Sequence, residues 1–187
     1  MPRLALILAL ATVSQFATFQ LAPAAEPGPT PGPSSSPSSS PTTTAGDRIA
    51  AGIIVKELQA LGYVSNVDTD DSGDPRVNMK IDGHDWSIYF YDCASGDRDS
   101  RQCTSYQFYS GYTMPQAVSA DVINKWNTEQ RYAKAYTYIQ RNGSHSARIE
   151  IDVRSAGTGA NPGQTFRIYF NTMKDKAALF RKTVGVQ

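Results

Sequence analysis

Alternation is the property of this chain that most limits its fold. Between His145 and Arg154, the residues Ala147, Ile149, Ile151 and Val153 alternate with Arg148, Glu150 and Asp152. A period of two places one set on a dry face and the other on a wet face, as in an antiparallel sheet covered on one side. The same pattern recurs over 84–92, where Trp86, Ile88 and Phe90 oppose Ser87, Tyr89 and Tyr91. It returns over 103–112, where Tyr106 and Phe108 alternate with Gln107 and Tyr109. Further strands are predicted over 63–67, 76–81 and 131–141. The dipeptides Asp82-Gly83 and Asn142-Gly143 are hairpin signals.

Three segments have helical spacing instead. Asp47 can cap a helix starting at Arg48, with Ile49, Ile53, Ile54, Leu58 and Leu61 on one side and Gly62 as its stop. Ser119 caps a second helix ending near Gln130. Val118 and Ile123 are placed for a hydrophobic staple, and Trp126 is predicted to anchor the helix to the sheet, with Asn127 capping or bonding locally. Asn161-Pro162 opens a third helix, and Gln164 completes the capping pattern. Phe166, Phe170, Met173, Ala177 and Phe180 form its apolar stripe, with Lys174, Lys176, Arg181 and Lys182 toward the negative end of its dipole. The expected order is α-β-β-β-β-α-β-β-α, an α+β domain of about six antiparallel strands and three helices.

That domain occupies residues 46–187. Residues 1–24 read as a signal peptide: Arg3, an apolar run from Leu4, and Ala22-Pro23-Ala24, which sets cleavage before Ala25. Residues 25–45 hold six prolines and ten Ser or Thr among 21 residues, the composition of a disordered spacer. A periplasmic or secreted protein follows, with no stable membrane span after cleavage. The formal net charge is +1, so no strong polyelectrolyte partner is implied, and export argues against nucleic acid as a partner. The total conceals a division: 11 acidic and 5 basic residues over 47–99, against 5 and 12 over 100–187. Size and composition exclude a multidomain enzyme, a membrane-spanning bundle and a wholly disordered protein.

Few residues point to chemistry. Cys93 and Cys103 bracket the loop between two adjacent predicted strands, and an exported protein with cysteines so placed is expected to bridge them. Asp68, Asp70, Ser72 and Gly73 faintly resemble a calcium loop, but its twelfth position is Met79 and no second helix follows, so a solvated turn is expected. His84 and His145 both follow glycine turns and are expected to be exposed. No nucleophile–base pair, zinc motif or phosphate loop can be named, so the chain is read as no enzyme, with no cofactor and no metal. Tyr132, Lys134, Tyr136 and Tyr138 share one predicted strand face and form the candidate interaction surface, for a protein or, alternatively, a small ligand or peptide.

The residues Leu61-Gly62-Tyr63-Val64, Phe90-Tyr91-Asp92-Cys93 and Cys103-Thr104-Ser105-Tyr106-Gln107-Phe108 form an ordered set of motifs. Trp126-Asn127, Arg131-Tyr132-Ala133-Lys134-Ala135 and Ile149-Glu150-Ile151-Asp152-Val153 complete it. The set resembles the YbjN family of bacterial domains, labelled sensory transduction regulators, over nearly all of 46–187. The resemblance implies a fold like that of type III secretion chaperones, an α+β sandwich, with a regulatory or protein-binding role and no catalytic residues. Unlike the cytoplasmic members, this chain carries a leader and a spacer. The expected partner is therefore an unidentified protein of the cell envelope, with a homodimer left open.

Overall fold

The computed structural model describes residues 48–155 and 161–186. The leader, the spacer and the Asp47 cap lie outside the described residues. The first helix does not begin at Arg48, as its apolar spacing suggested. Ile49–Ala50 is a short strand, β1, and α1 runs from Ala51 to Ala60. Ile49 sits opposite Cys103 in the sheet, so its apolar side chain serves a strand and not a helical turn. No side chain caps α1, and the Gly52 N–H donates to the Asp99 carbonyl at 3.0 Å. Its other end stops as expected. Gly62 has φ 84, and the Gly62 and Tyr63 N–H groups return to the Gln59 and Leu58 carbonyls, the two bonds of a Schellman motif.

Four strands follow: β2 (Ser65–Thr69), β3 (Pro75–Ile81), β4 (His84–Cys93) and β5 (Gln102–Met114). Next come α2 (Ala120–Glu129), β6 (Lys134–Ile139), β7 (His145–Arg154) and α3 (Pro162–Val184). All seven strands share one antiparallel sheet, ordered β2-β3-β4-β5-β7-β6, with β1 beside β5. The expected α+β class and element order are present, with β1 as an addition. The strand predicted over 131–141 is shorter, because Tyr132 takes a left-handed φ of 74 and holds the chain out of the ladder.

The turns explain the registers. Asp82 (φ 51) and Gly83 (φ 80) make the two-residue hairpin expected of their sequence. Asn142-Gly143 does not. Gly143 N–H bonds to Gln140 O and Gln140 N–H to Ser144 O, closing a three-residue loop with Gly143 alone at positive φ. The β2–β3 turn is built the same way around Gly73. There the Asp70 carboxylate accepts from the N–H groups of Ser72 and Asp74. The calcium-like run thus spends a would-be ligand on its own backbone.

The helices cover one face of the sheet. Ile54 and Leu58 of α1 meet Phe166, Phe170, Met173, Ala177 and Phe180 of α3 over Trp86, Ile88, Phe90, Tyr106 and Phe108. Phe170 is central: its ring lies 5.2 Å from Tyr63, 5.5 Å from Phe166 and 6.3 Å from both Trp86 and Phe108. The Asn161 side chain accepts from Gln164 N–H, as the sequence indicates, and Gly185 ends α3 at φ 76. Ion pairs Asp74–Arg101, Asp82–Arg181 and Glu57–Arg167 join the acidic first half to the basic second half. Part of the hidden charge division is thus settled within the fold.

Candidate functional site

The opposite face of the sheet carries no described helix, and its chemistry follows from strand register. The inward positions of β4, β5 and β7 are mostly apolar, with Ser110 and the strand-end His84 and His145 as exceptions, so their outward positions bring the polar half of each alternation together. Across β5 and β7, Gln107 faces Asp152, Tyr109 faces Glu150 and Gly111 faces Arg148. Across β6 and β7, Lys134 faces Glu150 and Tyr136 faces Arg148. On the other side Tyr89 pairs with Gln107 and with Arg76. The outward residues of five strands therefore form a continuous surface of tyrosines and charged groups.

These groups are tied to one another. Lys134 Nζ lies 2.8 Å from Glu150 Oε1 and 2.9 Å from Asp152 Oδ2. Its pKa is raised above the ordinary lysine value by the hydrogen bonds to Glu150 and Asp152. Burial pushes the Asp152 carboxyl up, but hydrogen bonds from Lys134 and Gln107 bring it below its ordinary value. Tyr136 Oη donates to Glu150 at 3.0 Å, Gln107 Nε2 to Asp152 at 2.6 Å, and Tyr91 Oη to Gln107 at 3.2 Å. Arg76 holds Asp68 through two hydrogen bonds of 2.9 and 2.7 Å and keeps that carboxyl below its usual range.

Aromatic planes fill the spaces between. Tyr89 and Tyr109 meet edge to face at 5.8 Å, Arg76 stands 5.8 Å from the Tyr89 centroid, and Arg148 lies 4.0 Å from Tyr138 and 5.5 Å from Tyr109. Burial raises the Tyr109 phenol to about 12. Gly111 makes room for that ring, since a Cβ there would stand 2.8 Å from Tyr109 Oη. The result is a pre-ordered surface, in which hydrogen bonds and stacking restrict long side chains before any partner arrives. Such a surface loses less side-chain entropy on binding than a free one.

Of the residues singled out in the sequence, Lys134, Tyr136 and Tyr138 lie on this face. Tyr132 does not share their strand; it is exposed beside Arg131, whose guanidinium is 5.0 Å from its ring. Arg148, Tyr109, Tyr89 and Gln107 were missed as site residues, although each occupies an outward position of an alternation the sequence displays. His84 and His145 are half-buried, not exposed, and His84 packs edge-on against Tyr112 at 5.3 Å. Cys93 and Cys103 face each other and are joined by a disulfide. No cluster of His, Cys, Asp or Glu able to hold a metal occurs among the described residues.

Trp126 and Asn127 act together beside this face. β6 is an edge strand, and exposed edges recruit other strands unless they are blocked. Trp126 Nε1 donates to the Ala133 carbonyl at 3.1 Å. The Asn127 amide pairs with both backbone groups of Ala135, accepting its N–H at 2.8 Å and donating to its carbonyl at 2.9 Å. Asn127 therefore bonds eight residues away, as a substitute strand, and not locally as expected. Asn127→Ala should destabilise the domain by about 1–3 kcal/mol, the cost of orphaning buried backbone groups, and should introduce concentration-dependent self-association. Chemical denaturation together with light scattering checks both. A variant of unchanged stability that stays monomeric would show that the edge needs no such cover.

The architecture defines a class, the two-layer α+β domain with an open antiparallel sheet. Among solved structures the chain is similar in fold to the crystal structure of YbjN, a proposed transcription regulator from E. coli, with a TM-score of 0.48 and 12% identity over 67% of this chain and 84% of that one. At that identity no residue role passes from one to the other. No protein-family model and no curated protein matches the chain. No helix among the described residues is long and apolar enough to cross a membrane.

Proposed function

We propose that this chain is an exported, non-enzymatic domain that binds a protein partner of the cell envelope through the open face of its sheet. The observation that carries the reading is the face itself: tyrosines and arginines from five strands, held in place by their own contacts and covered by no described element. Tyrosine and arginine are enriched at the energetic centres of protein interfaces, where they supply area at low entropic cost. Export is supported by the leader pattern of residues 1–24 and by the Cys93–Cys103 bridge, since disulfides persist chiefly in oxidising compartments. The spacer of 25–45 suits a domain that must reach a partner away from its point of release. A non-enzymatic role is supported by the engagement of Glu150 and Asp152 with Lys134, Tyr136 and Gln107, which leaves neither carboxylate as a free base.

The test is affinity capture from envelope extract, comparing the native chain with a Ser87→Arg/Tyr91→Ser double variant. Both changes lie on outward positions of β4 and should alter stability by no more than about 1 kcal/mol. The native chain is expected to retain one partner that the double variant loses. Equal capture of the same partner by a folded double variant would remove the open face from the function.

A further inference from the structure

We infer that the β6–β7 end of the open face is a carboxylate-binding site, in which Arg148 and Arg141 receive an acidic side chain of the partner protein. This rests on the open face being the binding surface, and it adds the chemistry that the partner must present. The argument is one of charge. Elsewhere on the face the carboxylates already have cations: Asp68 has Arg76 at 2.7 Å, and Glu150 and Asp152 share Lys134 at 2.8 and 2.9 Å. Arg148 forms no ion pair among the described residues, and its buried Nε has no hydrogen-bond acceptor. Glu150, two residues along the same strand and on the same face, is occupied by Lys134 and Tyr136.

The geometry of Arg148 suits a carboxylate. Its guanidinium packs against the Tyr138 and Tyr109 rings, at 4.0 and 5.5 Å from their centroids. Stacking engages the flat faces of the guanidinium, and one of its N–H groups is hydrogen-bonded to Tyr136; the rest of its in-plane edge is what can pair with a carboxylate. Tyr138, Gln140, Arg141, Asn142 and Arg148 line a concavity of about 380 Å³. Arg141 forms no ion pair among the described residues, so the concavity has two cations and no carboxylate of this chain. The Asn142 side-chain oxygen is turned away, accepting from the Ser144 N–H and hydroxyl at 3.0 and 2.8 Å. A single acidic side chain entering here would meet both guanidinium groups with Tyr138 as a wall.

The side-chain Nε–H resonance of Arg148, assigned by its loss in Arg148→Lys, reads the site directly. The full chain is titrated with acetyl-Gly-Glu-Glu-Gly-amide, with the Gln-Gln counterpart, and with inorganic phosphate. The glutamyl peptide should shift the resonance saturably and more weakly as salt rises, while the glutaminyl peptide should not. A fluorescent glutamyl peptide should bind Arg148→Lys at least about tenfold more weakly, because lysine keeps the charge but loses the planar fork. Arg141→Gln, on an exposed turn, gives a second variant whose folding is not at issue, and it too should weaken binding. Equal response to the two peptides, or phosphate displacing the glutamyl peptide at equal concentration, would overturn the assignment. If Ser87→Arg/Tyr91→Ser loses the captured partner while Arg148→Lys keeps it, the carboxylate site alone fails. If Arg148→Lys loses the peptide while the double variant keeps the partner, the site stands and the open-face function fails.

Discussion

Trp126→Ala is expected to destabilise the domain by about 3–5 kcal/mol, the range for truncating a buried aromatic residue. Trp126 is 3% exposed, and α2 buries only one other residue, Ile123. A helix of 10 residues with so small an apolar face has little intrinsic stability and depends on its docking. The Trp126 ring meets Phe180 edge-on at 4.9 Å, and its Nε1 donates to the Ala133 carbonyl. Alanine would leave a cavity between α2 and α3 and deprive that carbonyl of its donor. It would also loosen the neighbouring grip of Asn127 on Ala135. Trp126→Phe separates the contributions: it keeps most of the area and removes the N–H, so a smaller loss of about 1–2 kcal/mol is expected. Urea denaturation monitored by circular dichroism gives both values. A Trp126→Ala transition that coincides with the native one would show that α2 is not anchored there.

The sheet was legible because burial on one side imprints a period of two on the sequence. Ala147 to Val153 and Trp86 to Phe90 could hardly be read otherwise, and their inward positions are buried as the alternation requires. α3 was legible at its start because Asn161 and Pro162 have roles set by backbone geometry, while its stop at Gly185 was not read from the sequence. The start of α1 was not. Ile49 and Ala50 fit a helical stripe and a strand equally well, and two residues are too few for a period to decide. What decides is the long-range pairing with Cys103 and Gln102, which local sequence does not contain.

The site shows the same limit in another form. Tyr136 and Tyr138 stood out because they crowd one strand. Arg148 did not, because an outward arginine on an amphipathic strand is ordinary until its neighbours are known. Its significance comes from register: Tyr136 across β6, Gly111 across β5, and Tyr138 and Tyr109 within stacking distance. Asn127 is a similar case. Its residue type suggested a local cap, but α2 lies along the start of β6 and aims the amide at Ala135. Tyr132 fails in the opposite sense, since its left-handed backbone takes it out of a face that its spacing assigned it to.

Reduction of the Cys93–Cys103 bridge, or a Cys93→Ala/Cys103→Ala variant, is expected to cost about 3 kcal/mol, the chain-entropy value for a loop of roughly ten residues. At that size the transition should fall by roughly 10 °C. The loss should be uneven, because the loop that the bridge closes does more than connect β4 to β5. Asp99 supplies the carbonyl that receives the Gly52 N–H at the first turn of α1, where no side chain caps the helix. Arg101 reaches the Gly73 carbonyl at 2.9 Å and Asp74 at 3.3 Å in the β2–β3 turn. Cys103 is itself fully buried and pairs with Ile49 of β1. Freeing the loop should therefore release β1 and the first turn of α1 before the sheet opens. Hydrogen exchange with and without reductant should show Ile49 and Gly52 losing protection while Ile149 and Ile151, in the middle of β7, keep theirs. A uniform loss across the sheet would make the bridge a global constraint with no local task. A melt unmoved by reductant would mean that the β4–β5 pairing holds the loop without it, and would weaken the case that this chain works in an oxidising compartment.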